Sequence, residues 1–116
     1  MIEEIDTNSN FAEKEIPDGD HSCRVLGTRK NNAMYIWSLS YDNGKEGEIV
    51  LFGNTMGPLL KALGCKEGSK KGIYVLDTSI TDGGTFKATF FSEPDKKDKN
   101  VMRKRMKNVV GSEVPY

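Results

Sequence analysis

Tyr35, Trp37 and Tyr41 lie on one side of a single alternating stretch, and Tyr74 and Phe91 occupy the same kind of position further along the chain. Rings exposed at that spacing offer flat faces on which planar groups stack. Cations interleave with them: Arg24, Arg29 and Lys30 before the stretch, Lys71 and Lys87 after it, and Arg103 and Lys104 near the end. Lysine and arginine supply the complementary chemistry, neutralising phosphate-like anions with a salt-dependent gain. Rings and cations in alternation are the footprint expected of a surface that holds a charged, ring-bearing polymer.

Other chemistry is not spelled out. His21 is the single histidine and sits on the apolar side of a strand-like stretch, where packing is its ordinary role. Cys23 and Cys65 have no neighbouring thiol or histidine pair at zinc-ligand spacing, and they read as free thiols of a reducing compartment. Gly53/Gly57 and Gly83/Gly84 are not followed by Lys-Ser or Lys-Thr, so no phosphate-binding loop is present. The acids cluster near the start, away from any stretch that could bury them for general acid–base work. The expectation is a non-enzymatic protein without metal or cofactor.

Length and charge agree with that expectation. With 116 residues, 36% of them hydrophobic, the chain can build one small domain. Seventeen basic residues balance seventeen acidic ones, which excludes a uniformly basic coat. The neutrality hides segregation: residues 1–20 carry seven acids and one base, and residues 95–108 carry seven bases and two acids. No apolar run is long enough to span a bilayer and no secretion signal is apparent, so a cytoplasmic location is expected.

The elements that must position these residues follow from turn chemistry and period. Residues 1–15 read as an acidic arm. Pro17-Asp18-Gly19 is a turn, and His21 to Lys30 alternates as a first strand. Ala33 to Tyr41 and Glu48 to Phe52 flank Asp42-Asn43-Gly44 as a hairpin. Met56, Leu59, Leu60 and Leu63 fall at helical spacing between Thr55, a cap candidate, and Gly64, a stop. A second hairpin is expected from Ile73–Ile80 and Thr85–Phe91, closed by Pro94. Beyond it, Asp98 to Val110 puts Met102, Met106, Val109 and Val110 on one helical face, so a basic helix or tail is expected over 95–116. Five strands with a helix between the third and fourth is the order of an all-β, OB-type Greek-key barrel over residues 16–94. SH3-like and cold-shock-like barrels are rivals that lack a helix at that point.

Two registers fit the second strand. In one, Tyr35, Trp37 and Leu39 are core; in the other, Met34 and Ile36 point inward and the aromatics lie outside. The outward register is favoured because Val25, Ile49, Leu51, Ile73, Val75, Phe86, Ala88 and Phe90 already supply inward candidates. It would place Arg24, Tyr74, Lys87 and Phe91 on the same outer surface.

Ile16 to Val25, the hairpin Met34 to Gly47, Met56 to Gly64 and Lys71 to Val75 together resemble the small OB-fold single-stranded-DNA-binding proteins of bacteriophages. The closing Glu113-Val114-Pro115-Tyr116 is similar to the acidic, aliphatic, proline and aromatic tip with which bacterial single-stranded-DNA-binding proteins dock partners, although the preceding segment here is basic rather than acidic. The resemblance implies single-stranded DNA binding with little sequence preference in replication or recombination. The rings and cations above would form the interface, and the tip would meet replication or recombination proteins. Self-association through Met102 and Met106 is open, as is RNA in place of DNA. The alternative is a protein-interaction module on the same scaffold, such as a phage-encoded inhibitor or adaptor of a host protein.

Overall fold

The computed structural model describes residues 15–111. The acidic arm before Glu15 and the tip Glu113, Val114, Pro115 and Tyr116 lie outside the described residues.

Five antiparallel strands form one sheet: β1 (Gly19–Asn31), β2 (Met34–Tyr41), β3 (Lys45–Phe52), β4 (Thr85–Pro94) and β5 (Met102–Gly111), in the order β3-β2-β1-β4-β5. The long β1 is central, its first half paired with β4 and its second half with β2. The edge strands β3 and β5 touch, but no hydrogen-bonded ladder between them closes the sheet into a barrel among the described residues. Two short helices accompany the sheet, α1 (Gly57–Ala62) and α2 (Thr78–Thr81).

The first hairpin turns on Asp42, Asn43 and Gly44, all with positive φ, the backbone that Asp-Asn-Gly tolerates. The expected helix is shorter than its apolar spacing suggests. Thr55 does not cap it: its hydroxyl donates to Phe52 O inside a 3₁₀ turn, and α1 starts two residues later with Pro58 in its first turn. Gly64 (φ 91°) ends the helix as expected, and Cys65 N bonds back to Leu60 O.

Two element assignments are corrected. The stretch Ile73–Ile80 is not a sheet strand. Tyr74 makes one isolated bridge to Glu67, and Asp77 then caps α2 by accepting from Ser79 N. The basic segment after Pro94 is neither helix nor tail but β5, paired along β4. Its apparent helical face has a definite cause. Asn108 (φ 54°) sits in a bulge, so that three steps along β5 oppose two along β4. Met106 and Val109 therefore both pack against the core at a spacing of three, which on paper reads as a helix.

A second bulge, between Val25 and Gly27, leaves Leu26 half-exposed and carries Thr28 and Lys30 onto the face shared with Trp37 and Tyr35. The outward register of β2 is overturned. Trp37 is wholly buried, Leu39 likewise, and Tyr41 is 7% exposed. Of the expected inward set, Val25, Ile49, Leu51, Phe86, Ala88 and Phe90 are core, but Ile73 and Val75 are more than half exposed. Without those two, the interior needs other bulk, and the indole supplies it. Its Nε1 has no acceptor among the described residues, so the ring serves there as hydrocarbon.

Trp37→Ala should therefore cost about 3–5 kcal/mol, as large aromatic truncations in cores do, with Trp37→Phe well below that. Urea unfolding followed by circular dichroism checks the ordering; equal stability of parent and Trp37→Ala would contradict it.

Candidate nucleic-acid interface

Alternation along β4 sends Phe86, Ala88 and Phe90 to the core and leaves Lys87, Thr89 and Phe91 on the outer face. The ladder to β5 sets Lys87 beside Val110, Thr89 beside Lys107 and Phe91 beside Arg105. On the other side, β1 adds Ser22 next to Lys87 and Asp20 next to Thr89. The result is an outer surface where one half-buried ring, Phe91, stands among cations. Lys107 Nζ lies 5.4 Å from the centre of that ring, a cation–π contact. Arg105 Nε donates to Glu93 Oε1 at 2.9 Å, whereas Lys87 and Lys107 make no ion pair among the described residues.

Of the other residues expected at the interface, Arg24, opposite Thr85, and Arg103, opposite Glu93, lie on this same outer face, and the rest are dispersed. Arg24 faces outward between Ser40 and Thr85, half-buried. Arg29 is held by Glu48 at 2.7 Å. Lys30 and Tyr35 form a local pair near the β1–β2 turn, with Nζ 5.7 Å from the ring, and Tyr35 packs partly against the core. Trp37 and Tyr41 are interior and present no face to a ligand. Lys71 is exposed in the loop before Tyr74. Arg103 pairs with Asp95 at 3.3 Å.

Lys104 faces away from the cationic surface. Its side chain is only 11% exposed and meets Asp18 at 2.5 Å, while Ser92 Oγ donates to the same carboxylate at 2.9 Å. The structure thus joins the expected Lys87 and Phe91 with Arg105 and Lys107, two bases of the segment expected as a helix or tail that were not singled out as interface residues. The bulge at Asn108 is the missing signal.

His21 is packed, as a lone strand histidine should be. Its Nε2 donates to Pro17 O at 2.8 Å, Nδ1 lies 2.6 Å from Asp42 Oδ2, and the ring meets Tyr41 and Phe90 edge-on. Cys23 and Cys65 are free and buried, and burial, with Asp42 adding to it, pushes the Cys23 thiol up to about 12. Among the described residues no cluster of three or more His, Cys, Asp or Glu side chains could hold a metal, and no helix is long and apolar enough to cross a membrane. No family model matches the chain, and no curated protein matches it.

Hydrogen bonds from Lys104 and Ser92 hold the Asp18 carboxyl below the ordinary aspartate range. A depressed carboxyl stabilises the fold above its unfolded value, about 3.9, and that contribution is lost as pH falls through the lower folded value. Asp18→Asn should lower stability near neutrality, and its gap from the parent should close as the pH falls below about 4. Urea midpoints between pH 6 and pH 2 measure this; a gap independent of pH would contradict the ion pair.

Proposed function

We propose that the protein binds single-stranded DNA without catalysis and with little sequence preference, through the outer face of β4 and β5. The observation that carries this reading is Phe91 beside Arg105 and Lys107, with Lys87 about 13 Å along the same outer face of one open strand pair. An exposed cation–π contact is worth roughly 0.5–1 kcal/mol. A base stacked on an aromatic ring is worth roughly 1–3 kcal/mol, and phosphate neutralisation by the released lysine adds to it. A nucleotide therefore displaces Lys107 from the ring at a net gain, with the ammonium moving to the phosphate.

Scaffold and sequence lend support. The strand order, with α1 between β3 and β4, is compatible with an OB-type architecture, a scaffold suited to single strands. The resemblance of residues 16–94 to phage-encoded binders supplies a setting in replication or recombination. In this account the stacking role expected of Tyr35 and Trp37 passes to Phe91. A second reading, a protein-interaction module, is favoured by the exposure of Ile73 and Val75 beside one another.

Fluorescence anisotropy of labelled (dT)12 at low salt separates the two. Binding should weaken steeply with salt. Phe91→Ala should cost about 1–3 kcal/mol, and Lys87→Ala and Lys107→Ala should each reduce the salt slope by about one. Absence of binding at low salt overturns the DNA reading and favours the protein partner. A matched (rU)12 tests the preference for DNA over RNA.

A further inference from the structure

Beyond Val110 the outer face of β5 does not end on a flat surface. It runs into an open groove of about 750 Å³ between α1 and the end of β5, lined chiefly by Pro58, Lys61, Ala62, Tyr74, Val109 and Val110. That volume lies within the range of small-ligand sites. The floor is narrow because β5 passes close to α1: a Cβ on Gly111 would stand 2.7 Å from Ala62 O, so only glycine fits there. Tyr74 is half-buried, with its ring edge about 4.0 Å from where a Cβ on Gly57 would lie. The slot thus combines an aromatic ring, aliphatic walls and one charged lining side chain, the exposed Lys61.

We infer that this groove is a second base-stacking station on the same DNA path, with Tyr74 taking the base and Lys61 the adjoining phosphate. The inference rests on the DNA reading above and extends it. Continuity comes from the β4–β5 ladder, in which Val110, a groove residue, pairs with Lys87, four residues along β4 from Phe91. From Phe91 to the groove's edge at Lys87 and Val110, four strand residues span about 13 Å, roughly four nucleotides at a stacked rise of 3.4 Å. Lys87 stands between the two rings and meets the backbone that joins them. Lys61 at the groove and Lys87 on the path leading from it are the cations that meet the phosphates of this path.

The test compares labelled (dT)4 with (dT)12 by anisotropy at low salt, for the parent, Tyr74→Ala and Lys61→Ala. In the parent the longer oligomer gains affinity by reaching both stations. Tyr74→Ala should lower that gain about tenfold, and Lys61→Ala should reduce the salt slope for (dT)12 by about one. Tyr74 also touches the core, so circular dichroism must first show that its variant folds; Lys61 is exposed and carries the test independently. If (dT)12 binds the parent and both variants alike, the second station is wrong while the Phe91 surface stands. If neither oligomer binds the parent, both readings fall. Amide resonances of Gly57, Gly72 and Gly111 provide the last discrimination. They should shift on adding (dT)12; shifts with an acidic apolar peptide such as Ser-Glu-Val-Pro-Tyr but not with (dT)12 would assign the groove to protein and overturn the inference.

Discussion

An unpaired edge on β4 would leave a row of backbone N–H and C=O groups beside a hydrophobic core, and the structure meets that constraint with the most basic segment of the chain. Everything on the functional face follows from the pairing. Once β5 lies against β4, alternation sends Met106 inward and Lys107 outward, and the bulge at Asn108 returns Val109 to the core while setting Val110 beside Lys87. A helix over the same residues would be short, and it would be marginal without a partner. The strand gains a full ladder of hydrogen bonds. Charges along it protect the new edge, since two such strands brought together would face like charges.

Much of the fold was legible. The first three strands, the Asp-Asn-Gly turn, the helix stop at Gly64 and the strand end at Pro94 each follow from a local rule and each is present, with β3 starting at Lys45, three residues before the expected Glu48. What failed was decided at a distance. Ile73-Tyr74-Val75 has strand composition, but β1 already has β4 on that side, so the segment finds only a bridge to Glu67. The count of five strands survives with a different fifth member. Bulges account for the rest: one extra residue converts a period of two into an apparent period of three, and periodicity alone cannot distinguish that from a helix.

The site was less legible for a related reason. Placing Ile73 and Val75 inside made the interior look full and pushed Trp37 outward on paper. With those two exposed, Trp37 and Tyr41 become the filling, and the largest ring in the chain is a core residue. Among the described residues, half-buried rings remain at Phe91 on β4, at Tyr74 in its groove, and at Tyr35 and Phe52. Cations sort in the same way. Arg29, Arg103, Lys104 and Arg105 are held by carboxylates, whereas Lys87 and Lys107 have none among the described residues and stay available to an incoming anion. A neutral chain can in this way present a cationic face. Charge segregation gave the region, and only the register of β5 on β4 identifies the members.

That register is what the account stands on, and nuclear Overhauser effects in the full chain test it directly. Antiparallel pairing predicts close backbone contacts between Thr89 and Lys107 and between Phe91 and Arg105, with an interruption at Asn108. Sequential helical contacts across 98–110, with no contact from those residues to β4, would contradict it and dissolve the surface on which both stacking stations depend.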